Sequence, residues 1–288
     1  MAKLIETGRS TTHDPCALGR AFKQRLHSGE VILGGVICET ISIALIKIYR
    51  QAGFEFIFTD NEHVLFAGLP SMASFVTAAR DNHLPIISKT PELERPDVAR
   101  LLEAGVVGIQ LPRTESRQDL EVLIDYMKFP PVGTRAAAPL YGNVDYVAPD
   151  NLAKWLTDAN DSTVIVAHIE TRRGLENFEE IVTTPHVDMV YIGAVDFSIA
   201  MGQPGEWDHP DVRGPMEHML ELCVRHNVPF GTTTATPQAA ARWMALGARF
   251  FEVVDELSLL AKGATEIVDA YNLASQTVQV VNQHLSQR

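Results

Sequence analysis

Two acidic residues each close an apolar run. Residues 164–169 run into Glu170, and residues 187–192 run into Gly193, with Asp196 just beyond. A helix-like segment over 174–182 separates the runs. Two buried strands joined by a helix form a parallel βαβ unit, whose strand ends emerge on the same side of the sheet. The pattern therefore brings Glu170 and Asp196 to one rim. There, converging carboxylate oxygens suit a hard divalent cation. The plain alternative is a pair of solvated rim acids.

The rest of the chain supplies more units of the same kind. Apolar runs over 31–38, 54–59, 84–87, 107–111, 228–234 and 248–254 read as further strands. Helical patterns are expected over 17–27, 41–52, 69–81, 96–104, 116–127, 151–158, 211–226, 237–246 and from 257 to 272 or beyond. Pro96 opens one of these helices and Gly105 closes it, the usual asymmetry. Residues 129–150 form a long irregular insertion, and the stretch after Ile192 reads as a loop as far as Pro210. Strands and helices in strict alternation predict a (β/α)₈ TIM barrel, an α/β fold, as a single domain. Residues 1–15 read as a loose leading segment and 257–288 as a terminal helix. An open doubly wound sheet is the competing architecture. It usually carries a Gly-rich phosphate loop after its first strand, and the sequence after residue 36 contains none.

In such a barrel the chemistry sits at the carboxyl ends of the strands. The polar residues expected there are Glu39, Asp60, Glu62, His63, Lys89, Arg113, His168, Glu170, Asp196, Thr232–Thr234 and Asp255.

Composition narrows the class. The 288 residues are 46% hydrophobic and 21% charged, in keeping with a globular protein with a sizeable core. A net charge of −12 and the lack of a dense Lys/Arg run argue against a nucleic-acid surface. Cys16, Cys38 and Cys223 are odd in number and widely spaced, as reduced thiols are rather than a disulfide framework or a zinc cluster. The first residues carry no signal-like apolar core, and no apolar run is long enough to span a bilayer. A cytoplasmic protein with no membrane partner is expected.

The motifs, in order, are AGFEFIFTDNEHVLF, LLEAGVVGIQLPRTES, KFPPVGTRAAA, VAHIETRRGLEN, VDMVYIGAVDFSIAMGQPG and LGARFFEVVDELSLL. Together they resemble the HpcH/HpaI aldolase/citrate lyase family of class II pyruvate aldolases, over about residues 20–270. The resemblance implies Mg²⁺, Mn²⁺ or Co²⁺ held by Glu170 and Asp196. It also implies reversible cleavage of a 4-hydroxy-2-oxo acid to pyruvate and an aldehyde. A cation lowers the cost of the developing enolate charge. By the same resemblance His63 is the base, and Asp60 opens its motif and helps orient the site. Glu103, in LLEAG, matches an Asp that the family pairs with this histidine, although it lies late in a helix and far from the rim of its own subunit. Arg135 matches a family arginine with a structural, loop-ordering or substrate-side role. The backbone amides around Val195 and Asp196 match those that bind the pyruvyl carboxylate. A dimer-built hexamer with exchanged terminal helices is implied as well, and the apolar face of 257–281 fits an oligomer.

The chain also departs from the family. Where an arginine usually follows the third strand, either Lys89 or Ser88 stands, depending on the direction of counting. Lysine keeps the charge but lacks the planar fork. His168 replaces a common Gln and shares a strand face with Glu170, as a third ligand or as a hydrogen-bond donor to substrate. Other metal-enolate chemistry, such as decarboxylation or condensation, and a Schiff-base aldolase using Lys89 are the rival readings.

Overall fold

A computed structural model describes residues 14–63 and 69–286. The chain begins α1 (Ala17–Leu26), β1 (Ile32–Ile37), α2 (Ile43–Ala52), β2 (Phe56–Asp60), α3 (Leu69–Asp81) and β3 (Ile86–Lys89). It continues α4 (Arg95–Ala104), β4 (Gly108–Leu111), α5 (Arg117–Met127), a short 3-10 turn (Gly142–Val144), α6 (Leu152–Ser162) and β5 (Val164–Ile169). Next come α7 (Arg172–Glu176), α8 (Phe178–Val182), β6 (Met189–Ile192), α9 (Ala194–Ala200) and α10 (Pro210–Arg225). The chain ends with β7 (Phe230–Thr232), α11 (Pro237–Leu246), β8 (Phe250–Asp255) and α12 (Glu256–Ser286).

The strands pair in sequence order, all parallel, and β8 returns to β1, so the sheet closes into a (β/α)₈ barrel. Side-chain alternation divides the apolar residues into two layers. Ile32, Phe56, Phe58, Ile87, Val164, Val166, Met189, Tyr191 and Phe250 fill the interior. Ile57, Ile86, Ile109, Leu111, Ile165, Ala167, Val190 and Ile192 face outward against the helices. Gly34 makes room inside, since a Cβ there would lie 2.0 Å from the Phe56 ring.

One carboxylate reinforces the carboxyl end of the β8–β1 seam. Glu256 accepts the backbone N–H groups of Cys38 (2.8 Å), Glu39 (2.6 Å) and Thr40 (2.8 Å), which fastens the start of α12 to the turn after β1. At the opposite end, Phe129, Val144, Trp155, Ala159 and Cys16 form a small satellite core that anchors the 129–150 insertion.

Two local expectations are corrected. The stretch after Ile192 is not all loop: Ala194–Ala200 is helical, with Phe197 fully buried as its anchor. The helix expected over 174–182 is two short helices that meet at Asn177, whose side chain donates to Glu115 O at 2.7 Å. The loose segment expected over 1–15 lies outside the described residues except for its last two. Among the described residues no helix is long and apolar enough to cross a membrane.

Candidate active site

Strands β2 and β3 are in register with Asp60 opposite Lys89, both at the carboxyl end. Ile87 lies in the interior layer and Ile86 in the outer one, so alternation turns Lys89 into the barrel mouth and Ser88 toward the helices. Ser88 bonds Thr59 Oγ1 there at 2.9 Å. Lys89 is therefore the cation that reaches the mouth. It is almost fully buried and ion-paired with Glu62. Burial would depress its pKa, but Glu62, Asp60 and Glu170 outweigh that and hold it above the usual lysine range.

Asp60 organises the turn that follows it. Its carboxylate accepts the backbone N–H of Glu62 (2.9 Å) and of His63 (3.1 Å), and Oδ2 lies 2.9 Å from His63 Nδ1. Burial pushes the Asp60 pKa upward, yet the bonds from His63 and the charge of Lys89 more than offset it and leave the carboxyl below its ordinary value. An anionic Asp60 holds the proton on Nδ1 and leaves Nε2 with its lone pair. The His63 side chain is 60% exposed.

Glu170 sits directly after β5 and is buried. Its Oε1 accepts the Arg113 backbone N–H at 2.7 Å, and Arg113 adopts a left-handed φ of 48° to present it. Burial raises the Glu170 pKa, Lys89 and the Arg113 N–H oppose this, and Asp196 adds to it. Asp196 is exposed in the first turn of α9, beside the exposed Val195. These two carboxylates repel one another, which is the donor chemistry a divalent cation satisfies. Gly193 keeps the approach open: a Cβ there would lie 2.3 Å from His168 Nε2 and 3.1 Å from Glu170 Oε2. The residues present thus fit an oxygen-ligated cation.

Below this rim lies a polar cluster that the sequence reading passed over, apart from His168. Gln110, Tyr191 and Glu252 face the interior at a depth where barrels normally hold branched apolar side chains. Burial raises the Glu252 pKa to about 8, with hydrogen bonds from Tyr191 and Gln110 opposing it. The signal was available: one polar residue interrupts each of the apolar runs GIQL and FFEVV, on the inward phase of the alternation.

Glu103 and Arg135 are brought together, but at the other end of the barrel. Arg135 Nη2 donates to Glu103 Oε1 at 3.3 Å, and its guanidinium lies 4.7 Å from the Phe129 ring centroid. Arg135 shares a small cavity with Gly105, Val106 and Thr163, which precede β4 and β5. Within one chain the structure thus places Arg135 with Glu103 and Phe129 and not among the groups at the mouth.

Comparison with known proteins gives a consistent picture. Residues 44–262 match the HpcH/HpaI aldolase/citrate lyase family. A 5-keto-4-deoxy-D-glucarate aldolase of Shigella dysenteriae is 25% identical over 260 residues, which cover 87% of this chain and 96% of that protein. An HpcH/HpaI aldolase from Desulfitobacterium hafniense superposes with a TM-score of 0.81 at 26% identity, covering 86% of this chain and 95% of that one. A family member from Burkholderia cenocepacia gives 0.80 at 25% identity, over 88% and 99% of the two chains.

Proposed function

The chain belongs to the HpcH/HpaI aldolase/citrate lyase family, and from that membership we propose that the barrel mouth described above cleaves a 4-hydroxy-2-oxo acid reversibly to pyruvate and an aldehyde. It is a lyase of the metal-dependent aldolase class acting on small molecules. Glu170 and Asp196 would hold the divalent cation, with Mg²⁺, Mn²⁺ and Co²⁺ the candidate ions. When bound, the cation supplies charge stabilisation to the enolate oxygen.

The protein's own groups account for the remaining steps. His63 Nε2 takes the proton of the 4-hydroxyl, and Asp60 orients the ring and stabilises the imidazolium that results. The C3–C4 bond then breaks, its electron pair forms the pyruvate enolate, and the aldehyde leaves. Lys89 balances the charge of Asp60, Glu62 and Glu170. The first-turn amides at Val195 and Asp196, which have no intrahelical partners, receive the pyruvyl carboxylate.

The single observation that carries this reading is the convergence of the Asp60–His63 pair, Lys89 and buried Glu170 at one mouth. A Schiff-base mechanism is disfavoured by Lys89 itself, which three carboxylates keep protonated. The test is pyruvate release from a panel of 4-hydroxy-2-oxo acids that includes the sugar acid named for the Shigella relative. EDTA and Glu170→Ala are each expected to remove activity, and activity indifferent to both would exclude the mechanism.

A further inference from the structure

His168 is buried, with Gln110 facing one of its ring nitrogens and Glu170 the other. A neutral ring carries one proton, and its location decides what the ring can do: a nitrogen with N–H donates, and only a bare nitrogen can ligate a metal.

The packing around the ring bears on the location. Gln110 Nε2 lies 3.3 Å from His168 Nδ1 in a fully buried contact, as a donor to a lone pair. Gln110 and Tyr191 lie beside the Glu252 carboxyl and oppose the rise of its pKa, Tyr191 OH bonds Thr233 Oγ1, and Gln110 Oε1 and Glu252 Oε1 are buried without a partner. The Tyr191 ring meets the imidazole edge-on, with centroids 5.1 Å apart and planes at 87°, which fixes the ring's tilt. On the far side, His168 Nε2 is buried and lacks a hydrogen-bond partner, although Glu170 Oε2 is 3.3 Å away without the alignment of a bond. It points across Gly193 into the space beside Glu170.

We infer that Gln110 and Glu252 are positioning residues: by donating to Nδ1, Gln110 keeps the His168 proton on Nε2, where it serves as a hydrogen-bond donor to an oxygen of the bound 2-oxo acid and not as a metal ligand. Glu252 and Tyr191 act through Gln110, holding its amide in the donating orientation. The substrate half of this inference rests on the function proposed above. The tautomer half does not.

Magic-angle-spinning NMR of the metal-free full chain, labelled with ¹⁵N-histidine, tests it. The His168 signals are identified by their loss in His168→Gln. The proton is expected on Nε2 in the wild type, and Gln110→Leu, which places an ordinary barrel-interior side chain there, is expected to give a mixture of tautomers. A proton on Nδ1 in the wild type, or an unchanged tautomer in Gln110→Leu, would overturn the proposal. Direct Mn²⁺ titration adds an independent readout. His168→Gln and Gln110→Leu should leave the Mn²⁺ Kd within about 3-fold, because loss of a ligand or its support typically costs about 10–100-fold. A 10-fold weakening in His168→Gln would make the ring a ligand and sink the assignment. Because the tautomer is read without cation or substrate, failure of the aldol assay leaves this result standing, and the reverse also holds.

Discussion

At the scale of single residues, the Asp60–His63 contact is where charge and geometry are tied most closely. The carboxylate anchors the turn through two backbone N–H groups and holds the ring through Nδ1. Asp60→Asn retains the shape, but its amide can reverse the ring's tautomer. The expected outcome is a fall in kcat of about 100-fold or more with little change in KM, the size associated with losing general-base work. A kcat within 3-fold of wild type in steady-state assays would remove His63 from that role. Glu252 makes a second prediction. Its folded-state pKa of about 8 exceeds the ordinary carboxyl value of 4.5. The folded state therefore binds more protons than the unfolded chain between those limits, and stability must fall as pH rises through that window. The slope is at most about 1.4 kcal/mol per pH unit for one group. Urea unfolding at a series of pH values should show this loss in the wild type and a flatter profile in Glu252→Gln.

At the scale of elements, two side chains do work that secondary structure alone leaves undone. Glu256 satisfies three backbone donors at the end of β1. Lys128 Nζ sits nearly buried beyond α6 and donates to Asn160 O (2.6 Å), Thr163 O (2.9 Å) and Thr163 Oγ1 (2.7 Å). Helix-end carbonyls favour a cation on both hydrogen-bond and dipole grounds. Burial, with Lys23 nearby, lowers the Lys128 pKa to about 8, so the cation is held at the cost of desolvation. Lys128→Met fills the space but strands those acceptors. A destabilisation of about 2–4 kcal/mol is expected from urea titration, given about 1–3 kcal/mol for each buried group left unpaired. Retention of full stability would mean that water replaces the ammonium.

At the scale of the whole molecule, the terminal helix is the conspicuous feature. In α12 the residues Leu260, Ile267, Val268, Tyr271, Leu273 and Val278 are all exposed, and Ile43, Ile48 and Leu246 are exposed on α2 and α11, the helices on either side of the β8–β1 seam. A run of apolar residues along one helix marks an association surface more often than solvent-facing decoration. We expect a homo-oligomer in which α12 packs against a second copy, a dimer or a hexamer built from dimers. Multi-angle light scattering should return a multiple of 31.7 kDa. A monomer at micromolar concentration would contradict this, as would a chain truncated after Glu256 that keeps the same mass multiple.

The barrel and most of its rim were legible in the linear chain because both depend on local periodicity. Apolar runs alternating with amphipathic segments admit few closed packings, and parallel closure sends every strand's last residue to one end. Asp60, His63, Lys89 and Glu170 could therefore be placed together from their positions after apolar runs. The choice of Lys89 over Ser88 could not, because it turns on the phase of a four-residue strand, and a one-residue slip exchanges the two faces. The helix at Ala194–Ala200 was hidden for a similar reason: its stability comes from burying Phe197, a tertiary contact. The pairing of Glu103 with Arg135, and the buried meeting of Gln110, His168, Tyr191 and Glu252, join residues from separate elements across the fold. Sequence alone put Asp60, His63 and Glu170 at one rim. Only tertiary structure decided which of them touch, since hydrogen bonds, desolvation and the tautomer they select depend on distances that exist only once the barrel has closed.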